Sequence, residues 1–208
     1  MDKQITAGPA EPTVEIEEQQ VCYQGFFRLE SYQLRHRLYN GQMGSRIIRE
    51  LFERGHAAAI LPYDPVLDRV VLVEQFRIGA IHAAGGSWLL EIVAGIIEPG
   101  ESASEVVRRE LLEEAGCNLL ALEPICEYFV SPGGTSERIS LYCGRVDADG
   151  VGGIYGLAEE GEDIRVITVS FAEAMALLAE GRINSANPII ALQWLQQNRA
   201  RLCQMWQA

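Results

Sequence analysis

GIIEPGESASEVVRRELLEEAGC, residues 95–117, is the stretch on which the reading of this chain turns. From Ser102 onward its period is helical. Ala103, Val107, Leu111 and Ala115 recur every four residues and form an apolar stripe. Ser102 followed by Glu105 makes a capping box, and Gly116 stands where a helix accepts a left-handed C′ residue. The spacing therefore predicts a helix over 102–115. On it, Glu110, Glu113 and Glu114 lie at i, i+3 and i+4 and crowd one face. Like charges so placed repel by roughly 0.2–0.5 kcal/mol per pair. Arg109, four residues before Glu113, offsets part of that, and Glu101 precedes the helix in the same neighbourhood. Taken alone, an acidic helix is most simply a solvated face. Carboxylates clustered beside a glycine-containing loop also suit a hard divalent cation, which takes oxygen ligands and bridges to phosphates.

Working outward, the flanking segments read as strands. HAAAILPY (56–63) and RVVLVEQF (69–76) are apolar runs joined by a turn at 64–68. HAAGGSW (82–88) reads as a loop and Trp88–Val93 as a further strand. Strand patterns recur at 126–130, 139–146 and 164–169. Ser170 with Glu173 opens a second helix, running to about Glu180. Asn187-Pro188 reads as the cap and first turn of a final helix. Before this domain, Tyr32, Leu34 and His36 alternate with polar residues, and Asn40-Gly41 is a favoured hairpin dipeptide. Residues 1–53 read as a loose acidic tail and a small antiparallel β subdomain of two or three strands, and 54–208 as the main domain. Strands with interspersed helices, lacking strict βαβ alternation, predict a layered α/β architecture.

Composition narrows the class. The chain has 208 residues, 48% of them apolar and 22% charged, which excludes disorder as the main state. The net charge of −12 argues against a nucleic-acid backbone as partner, yet permits small anionic substrates where a cation mediates. Five scattered cysteines without a CxxC pair read as small core thiols. Neither a signal peptide nor an 18-residue apolar span is visible, so the expectation is a cytoplasmic protein without a membrane partner. The three histidines have no zinc-ligand spacing. No nucleophile elbow, Walker A or dinucleotide fingerprint occurs.

The pattern Gly95, Glu101, Arg109, Glu110, Leu111, Glu113, Glu114, Gly116 resembles the box of the Nudix hydrolases, with Cys117 where an aliphatic residue is usual. Cys is small and apolar, so packing should survive. The resemblance implies an α/β/α sandwich with a mixed sheet and metal-dependent cleavage of a nucleoside diphosphate linked to another moiety. It implies Mg²⁺, or Mn²⁺, as two or three ions held by Glu110, Glu114 and the Ala94 carbonyl. Glu113 would assist catalysis, while Glu101 and Arg109 would hold the loop to the helix.

SPGGTSE (131–137) places Pro132 sixteen residues after Gly116, as in the ADP-ribose pyrophosphatase branch of that family. GLAEEGEDIRV (156–166) is similar to the branch's loop bearing the catalytic base. Two acids there compete. Glu160 matches the general base and Glu162 an added metal contact, and a slip of one or two residues would exchange them. By the same resemblance Phe26 and Phe27 approach the adenine from the partner subunit. Arg49, Arg77, Ile96, Ser131, Gly133 and Glu137 contact the rest of the substrate. The implied activity is hydrolysis of ADP-ribose to AMP and ribose 5-phosphate by a homodimer with exchanged N-terminal strands. Two rivals stay open: a sibling acting on another nucleotide sugar such as GDP-mannose, and an ADP-ribose sensor that does not cleave.

Overall fold

The computed structural model describes residues 14–157, 159 and 161–206. The chain divides into two compact units, one formed by residues up to 55 together with 129–137, the other by 56–128 and 138–206. Segment 129–137, read from sequence as part of the second domain, thus groups with the first unit.

The first unit is an antiparallel sheet, β1 (Val14–Gln24), β2 (Arg28–His36) and β3 (Ile47–Glu53), in sequential order. Asn40-Gly41 turns the chain between β2 and β3, with Gly41 at φ +84°, a conformation glycine adopts freely. Segment 129–137 joins this sheet's last strand. The Phe52 N–H donates to the Gly134 carbonyl (2.8 Å), and Phe52 bridges to Thr135.

The second unit holds β4 (Ala57–Asp64), β5 (Arg69–Phe76), β6 (Trp88–Glu91), β7 (Val93–Ile96), α1 (Ala103–Ala115), β8 (Ala121–Phe129), β9 (Arg138–Arg145), β10 (Gly153–Tyr155), β11 (Ile164–Ser170), α2 (Phe171–Ala179) and α3 (Ala186–Trp206). Its sheet runs β10-β11-β5-β4-β9-β8 and is mixed, because β4 and β9 pair in parallel. Strand alternation sorts side chains into two layers. Ala57, Ala59, Leu61, Val70 and Leu72 pack with Phe171, Leu192, Leu195 and Trp206 of α2 and α3. Ala58, Ile60, Val71 and Val73 pack with Val106, Val107, Leu111 and Ala115 of α1. Helices therefore cover both faces of the central strands, the expected α/β/α sandwich. Cys117 is buried in the α1 layer, as a small apolar residue would be.

One feature positions the site. β4 and β5 pair only near their turn, at Tyr63/Val70 and Asp64/Arg69. Beyond it they splay, β5 pairing with β6 and β4 with β7. Residues 88–96 fill the split, changing partner at Ile92, where a single strand had been read. β7 then leads directly into the loop before α1. Two other boundaries differ from the sequence reading. β8 begins earlier and includes Pro124, which is tolerated because β8 is an edge strand. α3 begins at Ala186, and Asn187 accepts a hydrogen bond from the Tyr128 hydroxyl.

Candidate active site

α1 is anchored at both ends. Ser102 Oγ accepts from the Glu105 N–H (3.3 Å), and Glu105 Oε2 accepts from the Ser102 N–H (2.8 Å). Gly116 closes the helix in the left-handed region at φ +63°. With α1 so fixed, its stripe turns toward the sheet, and Glu114 goes with it. Glu114 is 3% exposed, and its Oε2 accepts a hydrogen bond from the Ala94 N–H on β7 (3.1 Å). Burial pushes its carboxyl up to about 8, opposed by that hydrogen bond and by Arg77, and reinforced by Glu110 and Glu162.

Glu110 lies one turn earlier, half-buried, and accepts from Arg109 Nη1 (2.7 Å). Burial raises its carboxyl too, with Arg109 pulling the other way. Arg109 also binds Glu113 (3.1 Å) and Glu101 (3.2 Å), so one guanidinium gathers three carboxylates. Glu101 further accepts from the Glu98 N–H (3.2 Å), tying the loop to the helix. Gly95 is glycine for a steric reason. A Cβ there would lie 1.8 Å from Glu110 Oε1.

These residues fit a divalent cation. Their donors are hard oxygens, and a carboxyl buried like Glu114 stays ionised at neutral pH only with a positive charge beside it. Among the described residues no three His, Cys, Asp or Glu side chains converge as a ready cage. A site of two glutamates and a backbone carbonyl suits Mg²⁺, which keeps several waters and takes substrate phosphates as ligands.

A cavity of about 520 Å³ is lined by Gln75, Phe76, Arg77, Trp88, Gly161, Glu162 and Asp163, of which Arg77 and Glu162 are the residues whose charges act on Glu114. Arg77 Nε pairs with Glu91 (2.6 Å), a partner the sequence reading did not name. Glu162 Oε2 accepts from the Leu157 N–H (3.1 Å). Ile96 ends β7 and is partly exposed. Glu160 lies outside the described residues.

In the first unit, other sequence-predicted residues assemble separately. Phe26 is 86% exposed and packs edge-on against Phe27 (4.8 Å between centroids), which meets Phe52 likewise (5.1 Å). The Arg54 guanidinium lies over Phe27 (5.2 Å) and pairs with buried Glu137 (3.3 Å). The Ser131 carbonyl accepts from the Gly134 and Thr135 N–H groups (3.0 Å each), so the loop around Gly133 is a closed turn. Arg49 is exposed, donating to the Ile48 carbonyl (2.8 Å). Sequence reasoning missed Arg54 and Phe52. Their signal was an aromatic and a cation at the end of a strand, too common to single out.

Comparison with known proteins sharpens this picture. Residues 53–192 match the NUDIX domain. The chain is 52% identical over 193 residues to the ADP-ribose pyrophosphatase of Escherichia coli (strain K12), covering 93% of this chain and 92% of that protein. It is 33% identical over 184 residues to the GDP-mannose pyrophosphatase of Pectobacterium atrosepticum, covering 86% and 92%. The crystal structure of an ADP compounds hydrolase superposes with a TM-score of 0.71 at 23% identity, over 98% of this chain and 100% of that one, a likeness of fold. An intact box from Gly95 to Gly116, carried on a capped helix over a split mixed sheet and matched across two-thirds of the sequence, places this chain in the Nudix family.

Proposed function

We propose that this chain is an ADP-ribose pyrophosphatase that adds water across the diphosphate of ADP-ribose to give AMP and ribose 5-phosphate. The observation that carries the reading is the buried Glu114 one turn from Glu110 on α1, two hard-oxygen donors beside β7 that suit a divalent cation. The choice of substrate is supported by the greater similarity to an ADP-ribose pyrophosphatase than to a GDP-mannose pyrophosphatase. The sensor reading loses support because every box carboxylate is present.

Glu110, Glu114 and the Ala94 carbonyl would hold Mg²⁺, or Mn²⁺, as two or three ions, with Glu162 joining them. When bound, the cation neutralises diphosphate charge and lowers the pKa of water. Glu160 takes the proton from the attacking water, a role suited to a loop carboxylate. Glu113 keeps Arg109 engaged and so orients Glu110. Arg77 binds a phosphoryl oxygen, and Ile96 supports the substrate at the end of β7.

Phe26 and Phe27 stack on the adenine, with Arg49 beside the base. Ser131 and Gly133 present the loop to the substrate, and Glu137 accepts from the terminal ribose. We place these groups opposite the metal-bearing unit of a second subunit, in a homodimer that exchanges its N-terminal strands. Support for this comes from β1, exposed along its whole length with Val14, Ile16, Val21 and Tyr23 bare, an apolar surface that suits burial against a copy. All five cysteines are free thiols, as suits a reducing compartment, and we place the protein in the cytoplasm.

The test is product analysis with Mg²⁺, offering ADP-ribose and GDP-mannose at equal concentration. The expected outcome is AMP and ribose 5-phosphate from ADP-ribose, abolished by chelator and restored by added Mg²⁺. Faster release of GMP from GDP-mannose would overturn the substrate and leave the metal site standing. Binding without turnover would favour the sensor.

A further inference from the structure

We propose that Gln75 is a substrate-binding residue, whose side-chain amide donates a hydrogen bond to a phosphoryl oxygen of the nucleoside diphosphate beside Arg77. The inference rests on reading the site as one for nucleotide sugars and deepens it with a residue outside the box.

Gln75 sits where packing asks for an aliphatic side chain. Along β5, Val71 and Val73 enter the layer under α1, and strand alternation puts Gln75 on that same face. The next residue in that register is Arg77, whose backbone is still extended and whose N–H donates to the Ser87 carbonyl (2.8 Å). Gln75 is 6% exposed, opposite Leu89 of β6. Its Nε2 is buried and has no hydrogen-bond partner among the described residues. A buried amide donor left unmade destabilises the fold, whereas an aliphatic residue of similar volume would not. Polar groups kept at such a cost mark places where a ligand completes the bonding.

The ligand's chemistry follows from the neighbours. Gln75 lines the same cavity as Arg77, and an amide next to a guanidinium offers donors to an anionic oxygen. Glu162, also on that cavity, receives its bond from Leu157 rather than from Gln75, which leaves the amide for an incoming group. Phosphoryl oxygens of a diphosphate are the acceptors the proposed reaction brings there.

Calorimetric titration with ADP and Mg²⁺ reads this out without turnover, because ADP carries the diphosphate of the substrate. Gln75→Met should weaken ADP binding about tenfold or more, as expected for a lost hydrogen bond to a charged acceptor. Its melting temperature should equal or exceed that of the wild type, and KM for ADP-ribose should rise more than kcat falls. Gln75→Glu, of equal size but acidic, should weaken binding further. Should Gln75→Met not fold, the side-chain amide signal of Gln75 in ¹⁵N-labelled wild type, identified by its loss in Gln75→Glu, should shift on adding Mg²⁺ and ADP. Wild-type affinity in a folded Gln75→Met, or an unmoved amide signal, overturns the proposal, as does a wild type that binds no ADP. If ADP-ribose is not cleaved while ADP affinity still depends on Gln75, the substrate reading falls and the assignment of Gln75 stands.

Discussion

Glu114 answers two opposing demands. Its place on the inner stripe of α1 buries it, and burial favours the neutral acid, while the metal binding we propose for it needs the anion. Glu114→Gln keeps the shape and removes the charge, so we expect kcat to fall about 10²–10³-fold with the melting temperature unchanged or raised. Wild-type turnover in a folded Glu114→Gln would remove it from the site. Gly95→Ala tests the same cluster from the backbone side. The added Cβ would displace the Glu110 carboxylate, so the Mg²⁺ concentration for half-maximal rate should rise about 10–100-fold. At this scale the box was fully legible, because fixed spacing on a helix dictates which side chains meet. What spacing did not reveal was that Glu114 is buried and Glu113 is not, since that depends on the tilt of α1 against the sheet. Gln75 was hidden for a related reason: RVVLVEQF reads as a strand whichever face its amide takes.

Single elements carry their own tests. Both capping boxes were legible and both formed, at Ser102/Glu105 and Ser170/Glu173. Ser102→Ala should cost about 1 kcal/mol, or about 2–4 °C in a chain of this size. The hydroxyl of Ser102, then its backbone N–H, hold the Glu105 carboxyl below the ordinary 4.5. A carboxyl lowered on folding adds stability above its unfolded pKa and loses it as pH falls through the folded value. The gap in melting temperature between wild type and Ser102→Ala should therefore be full at pH 7 and narrow as pH drops below about 4.5. A constant gap across that window would mean that Glu105 takes no part. The elements that escaped the sequence reading lacked a periodic signal. β10 has only three residues, the first of them the second glycine of Gly152-Gly153, and β6–β7 changes partner mid-run with no breaker residue to show it.

At the scale of the molecule, the layered second unit was legible because β4 and β5 are unbroken apolar runs and α1 carries an apolar residue every fourth position. The grouping of 129–137 with the N-terminal strands was not, because the Phe52–Thr135 bridge joins distant residues without a local pattern. The proposed shared site makes a prediction that only an assembly can meet. Arg77→Ala and Phe27→Ala should each be impaired alone. After subunit exchange, random pairing leaves one intact site in half the dimers, so about a quarter of wild-type activity should return. No recovery after exchange verified by mass would argue for sites within single subunits.

The parallel pairing of β4 with β9 carries a different consequence, for how the chain reaches this state. Ala57 meets Ile139, and Tyr63 meets Arg145, across a span that contains the whole box. During synthesis the centre of the sheet cannot close until Arg145 has left the ribosome, and β5 waits longer still for β11. At about 5–20 residues per second, the apolar run 57–63 stays without its neighbour for several seconds. That interval makes β4 the segment a chaperone would shield first, and the first to aggregate when synthesis stalls between β4 and β9.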